Sequence, residues 1–107
     1  MPNRPSSETL NKTRKRIDPK GRLKRPSFYV VLVHDDPVTP GPFVVDVLQR
    51  FFHKPQTEAS RIIALAQNFG SGVVGKFTFE IAETKAHVVN EYAREAGYPL
   101  FFSVEEE

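Results

Sequence analysis

No cysteine occurs in the 107 residues, which excludes a disulfide framework, a thiol nucleophile and a cysteine-ligated metal. No apolar run reaches the length that a membrane span or a signal peptide needs, so a soluble, cytoplasmic protein is expected. The histidines, His34, His53 and His87, stand at no ligand spacing from one another, and no zinc site is expected. Ser60 falls on an expected helix, Ser71 in a loop and Ser103 in a strand, so no Ser-His-Asp set is suggested. Gly70, Gly72 and Gly75 lack the Lys-Ser/Thr ending of a phosphate loop, and no helix opens directly after them. No metal or cofactor is called for. A binding module is expected rather than an enzyme.

Apolar residues are also scarce over 1–26, where only Met1, Leu10, Ile17 and Leu23 occur, without helical or strand period. That stretch holds nine Lys or Arg against Glu8 and Asp18, a balance of +7. Residues 27–107 hold six basic and eleven acidic residues, a balance of −5, so the formal net charge of +2 hides a basic tail on an acidic domain. The tail cannot bury enough surface to offset its ordering entropy, and residues 1–26 are read as a disordered basic extension of a single domain, 27–107. No aromatic residue lies among its charges to stack on bases. A solvated tail, or a tether for a protein partner, is therefore preferred to a nucleic-acid arm.

Within 27–107 the pattern is regular. Ser27 to Val33 is an apolar, β-branched and aromatic run of strand length whose lack of alternation implies a central position. Thr39-Pro40 is a helix-start signal, a hydroxyl able to cap followed by proline. Phe43, Val44, Val47, Leu48, Phe51 and Phe52 then recur at helical spacing. After Lys54-Pro55, a second stripe runs through Ala59, Ile62, Ile63, Ala66 and Phe69, and Gly70 supplies a stop able to take positive φ. A short strand is expected up to Thr78, which can cap a third helix buried through Ile81, Val88, Val89, Tyr92 and Ala93, with Lys85 on its charged side. Gly97 and Pro99 end that helix, and Leu100 to Val104 reads as a last strand. The order is β-α-α-β-α-β, an α+β domain with a small sheet and helices on one face.

One stretch joins these elements to chemistry. Val30-Val31-Leu32-Val33 runs into His34-Asp35-Asp36, and Pro37, Pro40 and Pro42 forbid the strand from continuing. Two carboxylates are thus held where a strand ends and a helix begins. They suit a cationic ligand group, and equally a turn in which they accept bonds from nearby amides.

The same stretch resembles a known family. Val30 to Asp36, Thr39-Pro40, Phe43 to Phe52, Thr78-Phe79-Glu80-Ile81-Ala82-Glu83-Thr84-Lys85 and Tyr92-Ala93-Arg94-Glu95 follow in order, close to the spacing of the ClpS family. Its members are adaptors of the ATP-dependent Clp protease, and the match runs from about Phe28 to Val104. The resemblance implies a three-stranded antiparallel sheet with three helices, of the type shared with the C-terminal domain of a ribosomal stalk protein. It also implies capture of proteins whose first residue is Leu, Phe, Tyr or Trp, and their delivery to the Clp AAA+ unfoldase through its N-terminal domain. Carried over by position, His34, Asp35 and Gln67 would hold the free amino group. Asp36, Thr39, Gly41, Val44, Val47, Ile63, Ala66 and Leu100 would line the side-chain pocket. Glu80 and Lys85 would face the unfoldase, Lys85 from the outer face of the third helix. This chain differs from the family pattern at His34 (usually Asn), Gln67 (usually His), Gly41 (usually a bulky Met-like gate) and Val38, an extra residue. Those differences motivate an alternative, a domain with altered or lost N-terminal recognition that modulates the unfoldase or binds other segments. If His34 lies near a bound amine, affinity should weaken as the imidazole gains a proton in mild acid.

Overall fold

The computed structural model describes residues 27–107 and, before them, only two short paired strands, β1 (Arg16–Ile17) and β2 (Leu23–Lys24), with Arg16 opposite Lys24 and Ile17 opposite Leu23. The expectation of a disordered extension over 1–26 otherwise lies outside the described residues. From there the chain runs β3 (Tyr29–His34), α1 (Gly41–Phe52), α2 (Gln56–Phe69), β4 (Ser71–Phe77), α3 (Phe79–Glu95) and β5 (Phe102–Glu106). The three longer strands form an antiparallel sheet in the order β4-β3-β5. The strand read as central is central: Val31, Leu32 and Val33 are all buried.

Val31 and Val33 of β3, Val74 of β4 and Phe102 of β5 join one apolar cluster with residues of all three helices. The helices therefore cover one face of the sheet. α2 approaches most closely at Gly72, which pairs with Val33: a Cβ there would lie 2.8 Å from the Ile62 carbonyl oxygen. Only glycine allows α2 to rest on β4 at that point. α1 ends at His53, in left-handed conformation at φ 57°, and α2 ends at Gly70, φ 92°. At its other end α1 is fixed by Phe43, whose ring stacks on Tyr92 at 5.7 Å and meets Tyr98 at 4.7 Å. β5 is tied to α3 by Asn90, whose Nδ2 donates to the Phe102 carbonyl (3.0 Å) while its Oδ1 accepts from the Phe102 amide (2.8 Å). That closes part of an edge that would otherwise be open to pairing.

Several local readings are corrected. α3 buries Ala82, Ala86, Val89 and Ala93, whereas Ile81 is 50% and Val88 42% exposed. The alanines form their own stripe at helical spacing, and their small side chains suit the side where α3 lies against its neighbours. Phe69 is 78% exposed, being the last residue of α2. Neither Thr39 nor Thr78 caps through its side chain: Pro40 holds the N-cap position of α1, and Thr78 that of α3 with no side-chain bond. β5 extends to Glu106, so two residues of the expected acidic end pair with Val30 and Tyr29.

Candidate functional site

The end of β3 is held on both sides. The His34 amide donates to the Phe101 carbonyl and the Asp35 amide to the Gly70 carbonyl, each at 3.0 Å. These bonds set Asp35 between the approach to β5 and the α2–β4 junction. Beyond it, Asp36 folds the loop around its own carboxylate. Oδ1 accepts from the Val38 amide (2.9 Å) and the Thr39 amide (2.6 Å), and Oδ2 accepts from the Thr39 hydroxyl (2.9 Å). The acidic pair thus divides its work. Asp36 makes the turn, while the exposed Asp35 carboxylate has no partner among the described residues. Val38, within this loop, is exposed.

Beside Asp35 lies a cavity of about 60 Å³ lined by Val33, His34, Asp35, Asp36, Thr39, Gly41, Val44, Ile63, Ala66, Gln67 and Leu100. One water needs ~10–15 Å³ by this measure, so the space is on the scale of a single side chain. Its depth is apolar, from Val33, Val44, Ala66 and Leu100, all buried. Its rim is polar, with Asp35 and Gln67 exposed and His34 half-buried. Gly41 opens the first turn of α1, and a Cβ there would meet nothing within 4 Å, so the cavity is unobstructed on that side.

Ten positions carried over from the resemblance are therefore brought together. Val47 is the exception: fully buried in the core, it does not line the cavity. Val33 was missed, though period 2 along β3 from Val31 places it on the helix-covered face. Glu80 is exposed in the first turn of α3 and shares a shallow acidic groove with Phe79, Glu83 and Thr84. Lys85 is not on the outer, charged side. Its ammonium turns inward, donating to the Phe51 carbonyl at 3.2 Å and lying 5.6 and 5.7 Å from the ring centres of Phe52 and Phe77. The unpaired carbonyls that end α1 and the two ring faces together draw the cation in. Displaced protonation equilibria are found elsewhere. A bond from Arg61 lowers Glu58 below the usual carboxylate range, and a bond to Asp46 raises Arg50; both pairs lie on exposed helix faces.

The fold and the cavity are those of a small binding domain. Residues 24–103 match the family model described as the ATP-dependent Clp protease adaptor protein ClpS. The ClpS adapter of Rhodospirillum centenum is 44% identical over 91 residues, covering 85% of this chain and 84% of that protein. The Brucella suis adapter is 47% identical over 98 residues, covering 92% and 81%. Among solved structures, Agrobacterium tumefaciens ClpS2 bound to L-phenylalaninamide superposes with a TM-score of 0.75 at 40% identity, covering 78% of this chain and all of that one. The chain belongs to the ClpS family of Clp protease adaptor proteins.

Proposed function

We propose that this adaptor captures proteins by a free N-terminus whose first residue is Leu, Phe, Tyr or Trp, and hands them to the Clp unfoldase for degradation. The observation that carries the reading is the Asp35 carboxylate, without a partner among the described residues, beside an apolar cavity of one-side-chain size. An α-ammonium is a compact cation with three donors, and a charge-assisted bond to Asp35 would hold it while the first side chain fills the cavity. L-phenylalaninamide, the ligand of the structural relative, presents those two groups, a free amine and a benzyl side chain. The acidic groove at the start of α3, with Glu80 and Glu83, is the surface offered to the unfoldase, and it is separate from the cavity. Lys85 supports it from behind by fixing α3 to the end of α1.

The test is calorimetric titration with L-phenylalaninamide and its N-acetylated form. Acetylation removes the charge and two of the three donors, so affinity should fall at least tenfold, given about 1.5–3 kcal/mol for a hydrogen bond to a charged group. Equal affinity for both forms would remove the amine from the site. Binding to the unfoldase's N-terminal domain with no preference for any first residue would select the modulator reading instead.

A further inference from the structure

The helices lie on the face of the sheet that carries Val31, Val33, Val74 and Phe102. Strand residues alternate between faces, so Val30, Leu32 and His34 of β3 belong to the other one. Opposite Val30 and Leu32 stand Lys76 and Val73 on β4, and Glu105 and Ser103 on β5. The His34 ring is held on this face, its Nε2 2.6 Å from the Ser103 hydroxyl oxygen and the Phe101 ring 5.7 Å away. Lys76 reaches Glu107 at 2.8 Å and lies 5.9 Å from the Phe28 ring, which adds both of those residues to the face. An apolar strip thus runs from Phe28 through Val30 and Leu32 to Val73 and Phe101. Its outer members are open to solvent: Phe28 is 50%, Val73 51% and Phe101 54% exposed. A contiguous apolar strip of this kind marks a contact surface.

The segment that leads into β3 has the properties of its cover. β1 and β2 pair as a ribbon with Ile17 opposite Leu23 and Arg16 opposite Lys24. Ile17 and Leu23 are two of the four apolar residues in 1–26. A lone two-stranded ribbon is marginal in water and gains stability by packing on a further surface. Only five chain steps join Lys24 to Tyr29, so the ribbon stays within about 18 Å of the Phe28 end of the strip. Pro26, with no amide to pair, interrupts the link and lets the chain fold back there. Charge favours the same placement, since residues 1–26 carry +7 and the face presents Glu105 and Glu107. We propose that the β1–β2 ribbon, residues 16–24, packs on the open face of the sheet. Ile17 and Leu23 meet the strip at Phe28, Val30 and Val73, and the basic residues around them lie beside Glu105 and Glu107. The inference is independent of the cavity's function, because the cavity lies on the helix side of the sheet.

The experiment compares methyl NMR spectra of the full chain and of the double variant Ile17→Ser/Leu23→Ser. Both substitutions lie outside 27–107, and thermal unfolding checks that the domain stays folded. Methyl signals of Val30, Leu32 and Val73 should move between the two chains, while those of Val44 and Ile63 at the cavity hold their positions. Dilution should leave both spectra unchanged. Val73→Ser probes the contact from the other side. It should raise the unfolding constant at least about twofold more in the full chain than in the double variant, where the contact is already lost. Unmoved Val30 and Val73 signals, or equal effects of Val73→Ser in the two backgrounds, overturn the inference. Signals that shift on dilution, with a doubled mass in sedimentation, also overturn it and give the face to a second copy. A difference seen only after adding the unfoldase's N-terminal domain overturns it in favour of that partner. If Val73→Ser does not fold, the methyl comparison decides.

Discussion

Asp35 and Asp36 are adjacent, alike in charge, and opposite in use. Asp36 accepts three hydrogen bonds from its own loop, and Asp35 accepts none from the described residues. Asp36→Ala should therefore cost about 1–3 kcal/mol of stability, seen in denaturant unfolding, by leaving two amides and a hydroxyl without their acceptor. Asp35→Asn should leave the unfolding midpoint within about 0.5 kcal/mol of the parent, yet weaken L-phenylalaninamide binding at least tenfold. If Asp35→Asn bound normally, the free carboxylate would not be the amine's partner. Gly41 calls for a different argument, because the space above it is empty. Gly41→Met should fold at least as stably as the parent, since methionine has a higher helix propensity than glycine and meets nothing within 4 Å at its Cβ. Its side chain would narrow the cavity mouth, so affinity for peptides beginning with β-branched Ile or Val should fall relative to those beginning with Phe. Competition titrations with the two peptide classes read that ratio, and an unchanged ratio would mean the mouth does not select.

Among the elements, the close seat of α2 on β4 matters most to the site. α2 carries Ile63, Ala66 and Gln67 to the cavity, and its height above the sheet is set where Gly72 meets the Ile62 carbonyl. The obstructing atom is backbone, so it cannot turn aside as a side chain would. Gly72→Ala should destabilise the domain by about 1–3 kcal/mol in thermal or urea unfolding, the range of an overpacked contact. It should also weaken ligand binding, because α2 must lift away from Val33 and Leu100. A variant as stable as the parent would show that the helix has slack there. α1 is held at both ends, by Phe43 on Tyr92 and Tyr98 and by Lys85 on the Phe51 carbonyl, and the loop joining it to β3 is closed by the Asp36 carboxylate.

For the whole molecule, charge is distributed unevenly: +7 over residues 1–26 against −5 over 27–107. Every residue lining the cavity lies between Val33 and Leu100, inside the acidic part. A cationic amine is attracted by the domain and repelled by the tail, but only across distances that salt screens. With a Debye length of about 8 Å at 0.15 M and about 30 Å at 0.01 M, deleting residues 1–26 should change L-phenylalaninamide affinity less than about twofold at the higher ionic strength, and tighten it at the lower. A large loss at 0.15 M would place part of the extension in the binding site.

Local pattern was enough for the element order over 27–107, the central strand, the left-handed stop at Gly70 and the family, because each depends on neighbours in sequence: apolar period, glycine, proline; it did not show the short strands β1 and β2. The ten carried-over positions that line one cavity came from the family resemblance and are scattered from His34 to Leu100, so it is the tertiary structure that brings them together. Local pattern failed where third dimensions decide. Ile81 and Val88 were read as buried, yet α3 turns Ala82, Ala86, Val89 and Ala93 inward. Lys85 was read as outward, yet the end of a helix over thirty residues away draws it in. Val47 shares a helix with Val44 but lies in the core, and Val33 takes a place in the cavity lining. The division between Asp35 and Asp36, and the hold of Ser103 on His34, depend on which atoms are left without a partner once the sheet has closed. That is a property of the assembled fold and of no segment within it.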